Sequence, residues 1–144
     1  MKLSRKIAAL SILILLSGCA KNVEVNPPEQ AFRDLKQGLE IAEASIVSAG
    51  FVVGELVASG DISEAQAEEL YTYGGRVLAS IHAAITVADV AESFEAGRKT
   101  LLAAISDVVD AIGEALEQFD LPREVRIGLV ATRAGLTVLQ AVTQ

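Results

Sequence analysis

Residues 32–56, FRDLKQGLEIAEASIVSAGFVVGEL, decide how this chain folds. Phe32, Leu35, Leu39, Ala42, Ile46, Ala49, Val53 and Leu56 recur with the spacing 3-4-3-4-3-4-3, a heptad stripe that puts all of them on one face of a helix. Gly60 suits the C-terminal cap of that helix, because glycine reaches the left-handed backbone conformation without a Cβ penalty. Ser63-Glu64-Ala65-Gln66 is a capping box that starts a second helix, so Ala58–Ile62 is a tight turn. The stripe resumes beyond it through Ala67, Leu70, Gly74, Val77, Ile81 and Ala84. Two helices joined by so short a turn must lie antiparallel.

Upstream, Asn26 reads as the N-cap of the first helix, with Pro27 at its first helical position and Glu29 completing a capping box. Downstream, a weak repeat at an offset of 59 matches Gly38, Ala44, Ile46, Gly54, Glu55, Asp61 and Leu70 with Gly97, Ala103, Ile105, Gly113, Glu114, Asp120 and Leu129. The turns correspond as well, Asp61-Ile62-Ser63 with Asp120-Leu121-Pro122. Two boundaries fit between the second and third helices: a capping box at Asp89-Val90-Ala91-Glu92, or a break at Gly97. The repeat favours the first, with a third helix from near Asp89 that buries Phe94, Leu101, Ile105, Val108, Ile112 and Leu116. The expected fold is all-α: an antiparallel bundle of two αα-hairpins, with four helices, or three if the second and third fuse. An acidic stripe, Asp107, Asp110, Glu114 and Glu117, precedes Arg123, Arg126 and Arg133 on the fourth helix. A turn at Asp120 predicts the ion pairs Glu117–Arg123, Glu114–Arg126 and Asp107–Arg133, of value mainly for register.

The chain begins with Lys2, Arg5 and Lys6, then the apolar run Ile7–Leu16, then Leu16-Ser17-Gly18-Cys19, and Cys19 is the only cysteine. A positive region, about ten apolar residues and small residues make an export signal, too short to span a bilayer. The arrangement resembles the lipobox signal peptide of bacterial lipoproteins. That resemblance implies recognition of Leu16, Ser17 and Gly18 by a signal peptidase, cleavage before Cys19, diacylglycerol on the Cys19 thiol and an acylated new N-terminus. Two or three acyl chains make a stable anchor, whereas one binds only marginally. The organisation expected is therefore a removed signal at 1–18, a lipidated tether at 19–30 that includes Pro27-Pro28, and a helical domain at 31–144. Ala20 after the cysteine favours the outer membrane in Gram-negative sorting, while Lys21 favours inner-membrane retention in some bacteria.

Loss of residues 1–18 removes three positive charges, which takes the net charge from −7 to −10. That balance argues against nucleic acid, which requires clustered Lys and Arg, and against electrostatic adhesion to anionic lipid. With Cys19 modified, neither a disulfide nor a thiolate metal site remains. Ile41–Gly60 and Arg126–Ala141 are apolar, yet Glu43 with Glu55 and Arg126 with Arg133 interrupt them, so they read as helices with buried faces.

His82 is the only histidine, and the residue three before it is Ala79, so the Glu-x-x-His pattern of a di-iron bundle is missing. It reads as a structural or surface residue. No metal, cofactor, nucleophile elbow or phosphate loop is expected, and the chain does not read as an enzyme. The segment Tyr71-Thr72-Tyr73-Gly74-Gly75-Arg76 carries two interior glycines, each costing about 1 kcal/mol against alanine. Two readings stand: close helix approach near Ala49, Gly50 and Gly54, or a kink that shows Tyr71 and Tyr73 to a partner. The domain also loosely resembles small helical lipoproteins of phages and prophages, in size, lipobox and Ala-rich hairpins. That likeness implies an envelope role without catalysis, through a protein partner. The other expectations are a small-ligand carrier with a cavity left by its many Ala and Gly, and self-association through an exposed seam.

Overall fold

A computed structural model describes residues 28–144. Leu16, Ser17, Gly18, Cys19 and the Asn26-Pro27 cap lie outside the described residues. Four helices follow in order: α1 (Pro28–Ser59), α2 (Glu64–Asp89), α3 (Phe94–Gln118) and α4 (Arg123–Thr143). Among the described residues there is no strand. Helix α1 already includes residues 28–30, which the sequence assigns to the tether.

The first turn forms as its residues dictate. Gly60 has φ +80°; its N–H donates to the Val57 carbonyl at 3.0 Å and the Asp61 N–H to the Leu56 carbonyl at 2.9 Å. These are the two bonds of a Schellman cap. Ser63 Oγ accepts from the Gln66 N–H at 3.2 Å, while Gln66 Oε1 accepts from the Ser63 N–H at 3.0 Å, which closes the capping box. The second boundary differs from both sequence readings. Helix α2 ends at Asp89, and α3 starts at Phe94 with Ser93 as N-cap, its Oγ accepting from the Ala96 N–H at 3.2 Å. Gly97 lies inside α3 and breaks nothing. The helices are four, and Phe94, expected in the core, is half-exposed at the start of α3.

The helices run up, down, up, down. Lys36 near the start of α1 pairs with Asp89 at the end of α2 at 2.7 Å. Phe32 packs edge-on against Phe94, with ring centroids 5.5 Å apart. Arg98 Nη1 donates to the Thr143 carbonyl at 2.7 Å, joining the start of α3 to the end of α4. Helices α1 and α3 are neighbours across the bundle, and each also packs on α2 and α4. The core runs between α1 and α3: Leu35, Leu39, Ile81, Leu101, Ile105 and Val108 are the largest fully buried side chains. Half of the α1 stripe is fully buried (Leu35, Leu39, Ala42 and Val53), whereas Phe32, Ile46, Ala49 and Leu56 are partly covered.

The repeat has a structural counterpart. Gly38 and Gly97 are both buried close approaches: a Cβ at Gly38 would meet Leu139, and one at Gly97 would fall 2.6 Å from Phe32 and 3.1 Å from the Ala88 carbonyl. Gly54 and Gly113 are each overlain by a polar-tipped side chain from the next helix, Tyr71 and Arg133. Helices α1 and α4 contain stretches of mean hydropathy 1.7 and 1.3, apolar enough by length and composition to cross a membrane. Only 11% of the α1 stretch and 22% of the α4 stretch is buried inside the bundle, with Val53 of α1 and Leu129 and Leu136 of α4 among the residues that reach its core.

Candidate functional site

The halves of the helices away from the first residue of α1 do not close completely. Ile46, Ala49, Gly50 and Val53 of α1, Leu70, Gly74 and Val77 of α2, Ile112 and Ala115 of α3, and Val125 and Leu129 of α4 surround a cavity of about 300 Å³. Large aliphatic side chains at this end are interleaved with Ala49, Gly50, Gly74 and Ala115, and the small ones leave the space. A Cβ on Gly74 would meet Ile46 only at an ordinary 3.6 Å, and nothing lies within 4 Å of a Cβ on Gly75. These two glycines are therefore not the close approach the sequence suggests. Gly38 and Gly97 take that role at the opposite end, and Gly74 and Gly75 help to leave a gap.

Tyr71 and Tyr73 both border the cavity, and both phenols are held by backbone. Tyr71 Oη donates to the Gly50 carbonyl at 3.2 Å, and its ring stays half-exposed at the mouth. Tyr73 Oη donates to the Ala111 carbonyl at 2.6 Å, its ring packs edge-on against Phe119 at 5.5 Å, and the Glu114 carboxylate lies 3.4 Å away. Burial first, then the Glu114 charge and hydrogen bond, raise the Tyr73 phenol above its ordinary value of 10.0, so it stays protonated. With both hydroxyls engaged, the wall offers a ligand almost no polar partner. Such a space suits an apolar, uncharged group. At the mouth Val47 of α1 is partly exposed, and Phe51, one turn further along and outside the cavity lining, is exposed at 73%.

The predicted ion pairs do not form. Among the described residues no ion pair within 4.0 Å joins Glu117 to Arg123, Glu114 to Arg126 or Asp107 to Arg133. Helix α3 turns the acidic stripe toward α2 rather than α4: Glu114 sits by Tyr73, and Asp107 borders a surface depression with Arg76 and Ser80. Arg126 instead donates to the Leu116 carbonyl at 3.2 Å, capping the end of α3, and Arg133 lies flat over Gly113. His82 is exposed on α2, its Nε2 2.7 Å from Glu43 Oε1 of α1. Among the described residues no group of three or more His, Cys, Asp or Glu is placed to hold a metal ion.

Periodicity did not mark the cavity. Its signal was compositional: Ala49, Gly50, Gly74 and Ala115 stand at positions where a tightly packed bundle carries Leu or Ile. No family model matches the chain, and no curated protein or solved structure is significantly similar to it.

Proposed function

We propose that the chain is a lipoprotein anchored through Cys19, acting without catalysis as a protein-interaction module at the bacterial cell envelope. The outer membrane, facing the periplasm, is the favoured site, and a phage or prophage origin is consistent with its size and lipobox. The observation that carries the reading is the cavity mouth. Val47 and Tyr71 present exposed apolar surface at the mouth of an apolar recess of about 300 Å³, and Phe51 stands exposed one turn beyond Val47, outside the cavity lining. Aromatic anchors beside a pocket are the arrangement through which protein interfaces gain most of their affinity.

The cavity itself favours a second reading, a carrier of a small apolar ligand. Titration with N-phenyl-1-naphthylamine separates the two. A carrier binds the probe at one saturable site, and Gly74→Leu, which fills the recess from α2, abolishes binding while helix content is retained. An interaction module shows no saturable probe binding. It instead gives photo-crosslinks to one envelope protein from a benzophenone at position 51, and none from position 107. Failure of both results removes the cavity from the functional account.

A further inference from the structure

The bundle has a second concentration of exposed apolar side chains, at the opposite end from the cavity. Val87 and Val90 lie where α2 closes, Phe94 where α3 opens, and Val138 and Val142 in the last turns of α4; all are about half-exposed or more, Val90 at 78%. The antiparallel order gathers them at the end where α1 begins, as the Phe32–Phe94 and Lys36–Asp89 contacts show. We infer that this end of the folded domain rests on the lipid bilayer, its apolar side chains entering the interface, so that the domain stands upright with the cavity facing away from the membrane.

The inference rests on the reading of Cys19 as the lipidated residue. Nine peptide steps separate Cys19 from Pro28, the first residue of α1. At 3.3–3.6 Å per residue the tether reaches at most about 30 Å. The end carrying Val90 and Phe94 is thus confined close to the surface that holds the acyl chains. Tethering on this scale corresponds to effective concentrations on the order of millimolar, so the contact needs little affinity of its own. Charge favours a zwitterionic over an anionic surface. The cleaved chain is strongly acidic, and at this end Lys36 pairs with Asp89 and Arg98 and Lys99 pair with Glu95, while Asp34 and the exposed Glu92 between Val90 and Phe94 are in no ion pair among the described residues. A second copy is the poorer occupant: a handful of half-exposed side chains offers well under the roughly 800 Å² per partner of a stable interface.

The chain has no tryptophan, so single reporters are clean. Val90→Trp places one at the anchored end. Phe51→Trp places one 23 residues along α1 from Pro28, about 35 Å away at 1.5 Å per residue. Each full-length lipidated protein is reconstituted in phosphatidylcholine vesicles with brominated acyl chains, after intact mass has established the modification. The expected result is a blue-shifted Val90→Trp emission, quenched several-fold more than that of Phe51→Trp. Equal, weak quenching of both reporters in an acylated chain overturns this inference and leaves the anchor standing. A blue shift that follows protein concentration without bromine quenching assigns the end to a second copy and overturns it too. A chain with no acyl group on Cys19 overturns the anchoring reading and this inference together.

Discussion

Gly97 and Gly75 are both helical glycines, and they respond oppositely to an added methyl group. At Gly97 a Cβ falls on the Phe32 ring and near the Ala88 carbonyl, and backbone cannot swing aside. Gly97→Ala therefore lowers stability by about 1–3 kcal/mol, as overpacking does. At Gly75 the space is open, so Gly75→Ala raises stability by roughly 0.5–1 kcal/mol through helix propensity alone. Urea denaturation of the two variants checks both signs. Gly38→Ala falls between them, because the atom in the way is the flexible end of Leu139. Glycines at 74 and 75 drew attention in the sequence because two sit together inside a helical pattern. The glycines that packing demands stand singly, and only the partner helix identifies them.

At the scale of elements, the caps were the most legible features and the helix faces the least. Ser63-Glu64-Ala65-Gln66 and Gly60 act through bonds within six residues, so the first hairpin could be read directly. The α2–α3 boundary could not, because Ser93 caps α3 without a Glu or Gln at Ala96 to reciprocate. Ser63→Ala should cost about 1 kcal/mol, within the 0.5–2 range of N-cap losses, seen as a lower urea midpoint. The ion pairs failed because they assumed that α3 shows its acidic stripe to α4, a rotation that heptad spacing alone does not fix. A double-mutant cycle on Glu114→Arg and Arg126→Glu should accordingly give a coupling below about 0.5 kcal/mol. A real charged clamp lies elsewhere. Arg98 Nε and Nη2 donate to the Glu95 carboxylate at 3.0 and 2.9 Å, and Arg98 also holds the Thr143 carbonyl. The Arg98 hydrogen bond lowers the Glu95 carboxyl below its ordinary 4.5. A lowered folded value contributes stability above the unfolded value and loses it as pH falls through the folded one. Acid titration should loosen the last turn of α4 only below about pH 4.5, with faster amide exchange there, and Glu95→Gln should remove that pH dependence.

Across the whole molecule, the two ends of the bundle differ in packing and in consequence. The end where α1 begins is tightly closed by Gly38 and Gly97 and carries exposed valines and Phe94. The far end is looser and holds the cavity. The sequence displayed the all-α class and the paired hairpins because both follow from stripes and caps. Its many Ala and Gly suggested a cavity but did not place it, because the space arises where small residues of α1, α2 and α3 meet against Val125 and Leu129 of α4. In the functional account the closed end is anchored and the open end engages a partner, and both assignments depend on Cys19. The most direct test compares the wild-type chain with Cys19→Ala in the native host, by intact mass and membrane fractionation. The account predicts a wild-type protein that has lost residues 1–18, gained two or three acyl chains and partitions with the membrane, and a variant that does none of these. A wild-type chain found unacylated, or cut elsewhere, would contradict the anchor and with it the orientation of the bundle.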